Sequence, residues 1–163
     1  MVRAVCSGSF DPVTLGHVDI FARASHMFDE LTICVFRNIH KKGMFTIAER
    51  VAFLRTAVSG LPNVKVDAFS GLLTDYMVQH EASVIVRGVR SVKDLEYEQN
   101  EAYMNRHLQP GIDTIFLLTR PEFSFVSSSG IRELIHFGGS VEGLVPACVA
   151  EAVAARRAEQ ERE

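Results

Sequence analysis

The residues best suited to chemistry lie near the N-terminus, in the run Gly8-Ser9-Phe10-Asp11-Pro12-Val13-Thr14-Leu15-Gly16-His17. This run follows Val2–Cys6, an apolar stretch predicted to be a short buried strand, and apolar residues take up helical spacing from Gly16 onward. The start of a helix binds anions because its first N–H groups are unpaired and its dipole is positive there. A lone histidine at a helix start would more often face solvent. The loop, the helix start and His17 together favour a phosphate site.

Two arginines form a second candidate anion site. The segment Arg87-Gly88-Val89-Arg90 directly follows the predicted strand Ser83–Val86. The glycine lets the backbone approach a ligand, and the two guanidinium groups could hold two different anionic groups. Such a segment is more often a pair of surface arginines in a turn. Because this one lies at the end of a strand, we favour an anion-binding role.

A serine-rich segment is the third candidate. Within Phe123–Arg132, the residues Ser127, Ser128 and Ser129 open a predicted helix. Their hydroxyls and the unpaired N–H groups could cap the helix and hold an anion together. Helix capping alone would also explain the serines.

The fourth candidate is a lysine pair, Lys41 and Lys42, which precedes Gly43 in the loop after the predicted strand Leu31–Phe36. Such a pair usually belongs to a solvated loop. The local basic clusters contrast with a net charge of −3 and a pI near 6.1. This contrast suits a small anionic ligand better than a nucleic acid.

The elements that must position these residues alternate along the chain. Strict alternation of strand and helix predicts an α/β fold, with a Rossmann-like parallel sheet flanked by helices on both faces. Ligands bind such sheets beyond the carboxyl ends of the strands, near a switch in strand order. The predicted strands are Val2–Cys6, Leu31–Phe36, Val64–Phe69, Ser83–Val86 and Thr114–Leu118, and the later predicted helices are Thr46–Val58, Leu72–His80, Val92–His107 and Ser128–Phe137.

Length and composition narrow the class of protein. A chain of 163 residues fits one domain over residues 1–163, with a solvated, peripheral helix from about Val149. No basic leader and no long apolar run is present, so neither export nor membrane insertion is expected. The three cysteines form no C-x-x-C pair and the six histidines no metal-binding pattern, so we expect a cytoplasmic chain without a structural metal. The sequence contains no P-loop motif, so a P-loop NTPase is excluded. No G-x-G-x-x-G follows the first predicted strand, so a dinucleotide-binding Rossmann enzyme is not expected.

The first and third segments together resemble the paired motifs of the nucleotidylyltransferases that carry a T/H-x-G-H box. Here the box is Thr14-Leu15-Gly16-His17, and the second motif, I-S-S-T/S-x-I-R, has Val126 in place of its isoleucine. The chain is most similar to the bacterial phosphopantetheine adenylyltransferases, from about Ala4 to Pro146. That resemblance implies transfer of the adenylyl group of ATP to 4′-phosphopantetheine in coenzyme A biosynthesis, giving dephospho-coenzyme A and pyrophosphate. It also implies a homohexamer and Mg²⁺ bound with ATP.

The resemblance assigns residues to the two substrates. His17 and Lys41 would stabilise charge at the α-phosphate as the catalytic residues, and no residue is assigned to a metal. The residues implied for the acceptor are Ser9, Lys41, Leu73 and Arg87. The residues implied for ATP are Ser9, Phe10, His17, Gly88, Val89, Arg90, Glu98, Phe123, Ser124, Phe125, Val126, Ser127, Ser128 and Ser129.

The sequence departs from the family pattern at a few positions. Ser7 stands where proline is frequent, Ile39 and His40 precede Lys41 where a proline and a small residue are common, and Gly130 is small for its place. None of these removes a residue that the chemistry needs. Two alternatives stay open: a related nucleotidylyltransferase with another phosphorylated acceptor, and a nucleotide-binding module without catalysis.

Overall fold

The computed structural model describes residues 1–37 and 43–162. Within these ranges the chain forms one parallel sheet of five strands in the order β3-β2-β1-β4-β5. The strands are β1 (Arg3–Gly8), β2 (Glu30–Phe36), β3 (Val64–Phe69), β4 (Val84–Val89) and β5 (Asp113–Leu118). The helices are α1 (Leu15–Ser25), α2 (Ile47–Ala57), α3 (Leu73–Gln79), α4 (Val92–Leu108), α5 (Ser128–His136) and α6 (Ala147–Gln160).

Helices cover both faces of the sheet, as the alternating pattern predicts. Alternate residues of β1 point to opposite sides: Ala4 and Cys6 belong to the larger core, whereas Val5 belongs to the smaller one. The larger core contains buried residues of α1, α2, α5 and α6, and the smaller core is closed by Tyr76 and Met77 of α3. The predicted Rossmann-like α/β class is confirmed.

Strand order changes direction between β1 and β4. From β1 the chain moves outward through β2 to β3, then returns to pair β4 with the other edge of β1. Such a switch leaves a crevice at the carboxyl ends of the two strands. The loops after β1 and β4 therefore meet there.

The end of the fourth strand differs from that predicted. The fourth strand continues to Val89 rather than stopping at Val86, because Arg87, Gly88 and Val89 pair in register with Phe116, Leu117 and Leu118 of β5. The first three residues of the arginine segment thus lie in a strand and not after it.

The C-terminal helix is integral to the core rather than peripheral. Val149 and Val153 of α6 are fully buried in the larger core. Arg156 also reaches α2, where its Nη2 lies 2.6 Å from Glu49 Oε1. The prediction of a peripheral helix was wrong because it considered the charged residues of the tail and not the apolar stripe between them. None of the helices in the described ranges is long and apolar enough to span a membrane.

Candidate active site

An open pocket of about 680 Å³ lies at the switch in strand order, beyond the ends of β1 and β4. It is lined by the loop after β1, the start of α1, the end of β4, the first turns of α4 and the start of α5. Three of the four candidate segments thus converge on one site. The fourth carries Lys41, which lies outside the described residues.

His17 lies at the start of α1, where a capping box fixes its ring. Thr14 is the N-cap, and its side chain accepts from the His17 backbone N–H at 3.3 Å. In return, the Thr14 backbone N–H donates to His17 Nδ1 at 3.0 Å. Because Nδ1 accepts this hydrogen bond, the proton of the neutral ring is on Nε2. His17 can therefore donate from Nε2 in the pocket that it lines.

Burial lowers the pKa of His17 to about 4, and the nearby positive charge of Arg90 adds to the effect. The imidazole is therefore neutral at pH 7 and acts as a hydrogen-bond donor rather than as a cation. The simplest interpretation of a histidine at a helix start is a solvent-facing side chain, and the environment of His17 differs from that interpretation.

We expect the His17 ring to titrate near pH 4 in the folded protein, measured by NMR of histidine-labelled protein, and near the ordinary 6.5 in denaturant. Because the folded-state pKa is depressed, the stability due to neutral His17 is fully present above pH 6.5. It declines as the pH falls from about 6.5 to about 4. A folded-state midpoint near 6.5 would contradict the buried, donor-only assignment.

The serine-rich segment opens α5 and connects the two motifs. Ser127 is the N-cap and accepts from the Gly130 backbone N–H at 3.0 Å. Ser128 Oγ donates to the Pro12 carbonyl at 2.8 Å, so this hydroxyl joins the first motif to the third. Ser129 Oγ lies 3.2 Å from Ser127 Oγ and is exposed. The start of α5 therefore presents a helix N-terminus with hydroxyls to the pocket.

Each arginine of the second segment is paired with a carboxylate of α4. Arg87 Nε lies 2.7 Å from Glu98 Oε2, and its Nη1 donates to the Ser7 carbonyl. Arg90 Nε donates to Asp94 Oδ2 at 3.0 Å, and its Nη1 donates to the Val126 carbonyl at 3.2 Å. The two side chains follow different paths inside one pocket.

The structure brings most of the predicted binding residues together. Those that line the pocket are Ser9, Phe10, His17, Arg87, Gly88, Arg90, Glu98, Val126, Ser127, Ser128 and Ser129. Leu73, Val89, Phe123, Ser124 and Phe125 do not line it. Leu73 packs against the smaller core and Val89 is buried in β4, whereas Phe125 is exposed beside the site.

Sequence reasoning missed one wall of the pocket. Lys93, Asp94 and Tyr97 line it from the first turns of α4, together with Glu98. Their spacing of three and four residues places them on one helix face, which is a signal that the sequence contains. Both Asp94 and Glu98 are half-buried and paired with arginines, so this face of α4 is part of the pocket rather than an exposed surface.

Two of the three cysteines, Cys6 and Cys34, are buried. Burial raises the pKa of Cys6 to about 12 and that of Cys34 to about 12, and both thiols are free. We therefore expect slow reaction of these two thiols with a disulfide reagent in the folded protein, since the thiolate is the nucleophile. All three cysteines should react within the mixing time in denaturant, which serves as the control. Fast labelling of Cys6 and Cys34 in the native state would contradict the assignment.

Comparison with known proteins shows what the chain is similar to. The Cytidylyltransferase-like family matches residues 5–134. A phosphopantetheine adenylyltransferase of Levilactobacillus brevis is 50% identical over 156 residues, covering 96% of this chain and 97% of the relative. That of Clostridium kluyveri is 51% identical over 146 residues, covering 90% and 89%, and that of Deinococcus radiodurans is 50% identical over 147 residues, covering 89% and 87%.

A solved structure shares the fold. A protein of Vibrio parahaemolyticus, whose description assigns it provisionally to the nicotinate-nucleotide adenylyltransferases, superposes with a TM-score of 0.68. The alignment covers 94% of this chain and 99% of that one at 18% identity. At this identity the likeness concerns the fold alone.

Proposed function

The chain belongs to the phosphopantetheine adenylyltransferases, and from this premise we infer that it transfers the adenylyl group of ATP to 4′-phosphopantetheine. The products are dephospho-coenzyme A and pyrophosphate. One observation connects this function with individual residues. Neutral His17, two arginines and the start of α5 all line one pocket. The roles below are our proposals for those residues.

The attacking group needs no general base. A phosphate monoester is largely ionised at neutral pH, since its second pKa is about 6. Its oxygen attacks the α-phosphorus of ATP, and the bond to the β-phosphate bridging oxygen breaks as pyrophosphate leaves. The carboxylates of Asp94 and Glu98 line the pocket but pair with arginines, which fits a site that aligns and neutralises its reactants.

Charge at the α-phosphate is stabilised by His17 through Nε2–H. A neutral donor fixed by Thr14 needs little reorganisation as charge develops, which is the condition for effective transition-state stabilisation. Lys41, outside the described residues, is proposed to contact the same phosphate. Arg90 and the Ser127–Ser129 turn hold the β- and γ-phosphates, and Arg87 with Ser9 holds the acceptor's phosphate.

Magnesium is proposed to enter with ATP rather than to reside in the protein. Among the described residues, no group of three or more His, Cys, Asp or Glu side chains could form a metal site. Mg²⁺ commonly keeps several waters and is held through substrate phosphates, so the pocket fits a metal delivered by the nucleotide. When bound, it would neutralise charge on the triphosphate.

We propose that the chain forms a homo-oligomer, by resemblance a hexamer, and acts in the cytoplasm on small molecules rather than on nucleic acid or membranes. No residue of α4 is buried, and its surface carries Tyr103 and Met104 at 64% and 59% exposure. Apolar side chains so exposed suit coverage by a second copy. Light scattering of the purified chain tests the assembly.

Pyrophosphate release tests the reaction. With ATP and 4′-phosphopantetheine we expect pyrophosphate and dephospho-coenzyme A in equal amounts. Pantetheine without its phosphate should give neither, because the nucleophile and the anion held by Arg87 are both missing. Release with a different phosphorylated acceptor only would favour a related nucleotidylyltransferase. ATP binding without release for any acceptor would favour a nucleotide-binding module.

A further inference from the structure

The loop after β1 holds a strained residue beside His17. Phe10 has a φ of 43°, in the left-handed region that bulky L-residues seldom adopt. Such a conformation persists only where the surroundings determine it fully. The contacts on both sides of Phe10 therefore matter for the shape of the loop.

Two arginines from distant helices hold the backbone on either side of Phe10. Arg50 of α2 donates from Nη1 to the Ser9 carbonyl at 3.2 Å. Arg132 of α5 donates from Nη1 to the Asp11 carbonyl at 2.7 Å. The strained residue thus lies between two carbonyls that are each held by a guanidinium group.

Arg50 also joins this loop to the segment before α2. Its Nε donates to the Phe45 carbonyl at 2.8 Å and lies 3.4 Å from Asp11 Oδ1. The Asp11 carboxylate accepts from the backbone N–H groups of Met44 and Phe45, both at 2.9 Å. Arg50 and Asp11 are 8% and 6% exposed. This buried charge pair contacts both loops and fixes one loop relative to the other.

Gly43 provides the space for the guanidinium group. A Cβ at this position would lie 1.6 Å from Arg50 Nη2. Any larger residue would therefore displace the side chain of Arg50. This close approach explains why residue 43 is a glycine. The lysine pair alone would have indicated only a solvated loop.

The ring of Phe10 packs against the His17 imidazole, so the conformation of the loop affects the position of that imidazole. Its centroid lies 5.1 Å from that of the His17 imidazole, with the rings at 88°. The ring also packs on Phe21 at 5.4 Å and closely against Gly8, where an added Cβ would lie 3.0 Å away. With Thr14 on Nδ1 and Phe10 against its ring, the imidazole is held from two directions.

We propose that Arg50 is a positioning residue for the adenylyl transfer, holding Ser9–Asp11 so that the Phe10 ring keeps His17 aligned. The proposal rests on the proposed function for the reaction itself, but its geometry is independent of the substrate. Arg50 does not line the pocket, so it acts through Phe10 and not by contact with ATP or the acceptor.

The test compares Arg50→Lys with Arg156→Lys. Lysine keeps a positive charge beside Asp11 but has a single nitrogen in place of the Nε and Nη1 atoms that donate to Phe45 and Ser9, so it does not reproduce their fixed spacing. We expect kcat to fall by roughly tenfold or more, since small misplacements of a catalytic group are costly. KM for each substrate should stay within about threefold. Arg156 holds the Met44 carbonyl and Glu49 without contacting Ser9–Asp11, so Arg156→Lys should leave kcat unchanged.

A second measurement does not depend on enzyme activity. In histidine-labelled protein, the His17 ring signals should move in Arg50→Lys and stay in place in Arg156→Lys. Gly43→Ala, which displaces the guanidinium group without changing Arg50, should reproduce both effects of Arg50→Lys. If the wild-type chain releases no pyrophosphate, the proposed function fails, while these signals still test the positioning role.

A double-mutant cycle identifies the route of the effect. If Arg50 acts through the Phe10 ring, Arg50→Lys combined with Phe10→Leu should lower kcat little more than the worse single variant. Multiplicative losses would overturn the route through Phe10. An unchanged kcat and unmoved His17 signals in both Arg50→Lys and Gly43→Ala, at a temperature where the variants are folded, would overturn the proposal.

Discussion

Replacement of His17 by alanine should lower kcat by roughly 10²-fold or more, the range for losing one preorganised donor at a developing charge. The loss should be large because Nδ1 is committed to Thr14, which leaves Nε2–H as the single donor of the ring. ATP affinity should fall much less, since the interaction strengthens mainly in the transition state. Steady-state kinetics and ATP titration calorimetry measure the two effects separately.

His17→Gln is the matched control for this prediction. The glutamine amide can place an N–H near the position of Nε2 without the imidazole ring, so it should recover part of the lost kcat. If His17→Ala keeps a kcat within a few-fold of the wild type, His17 does not stabilise the transition state. Equal losses of kcat and ATP affinity would instead indicate a role in holding the nucleotide.

Loss of Arg90 should have the second largest effect. Charge on the leaving pyrophosphate grows in the transition state, so Arg90→Ala should depress kcat and weaken ATP binding. A charge-assisted contact contributes about 1.5–3 kcal/mol, which corresponds to roughly ten- to a hundredfold in affinity. Phosphopantetheine binding should stay nearly unchanged. Isothermal titration with each substrate, alongside kinetics, gives the comparison.

Arg87→Ala is the partner experiment and should do the reverse. It should raise KM for phosphopantetheine and leave ATP binding nearly unchanged, because Arg87 donates to the Ser7 carbonyl and does not reach the start of α5, where we propose that the leaving phosphates of ATP bind. Removing Arg87 also leaves the half-buried Glu98 carboxylate unpaired, so Glu98→Gln, alone and combined with Arg87→Ala, separates that cost from the lost ligand contact. Equal loss of both ligands in both arginine variants would show that the arginines support the loop as a whole.

Much of the fold and the site could be predicted from the sequence because the relevant signals are local. The alternation of strands and helices predicted the α/β sheet, and the helix predicted from Thr46 begins in the structure with a capping box between Thr46 and Glu49. Residues after β1 and at the start of α5 converge because parallel strands bring their carboxyl ends to one edge. The paired motifs indicated the family before any geometry was known.

Other features depend on contacts between distant parts of the chain. The extension of β4 to Val89 follows from pairing with β5, and the burial of α6 follows from packing of Val149 and Val153 in the larger core. The pairing partner of β4 and the surface that covers the apolar stripe of α6 are not encoded in the residues of either element alone. The pairing of Arg87 with Glu98 likewise depends on how α4 lies over the sheet.

The sequence by itself determined the alternation of elements and the chemical types of the residues that follow the strands. These follow from periodicity, capping and turn preferences, which act over a few residues. Only the tertiary structure decided the state of each group: burial makes His17 a neutral donor, and Asp11, Arg50 and Gly43 together hold a strained Phe10 against it. Desolvation and strain are properties of the assembled surroundings, because each depends on atoms contributed by several elements that are far apart in the chain.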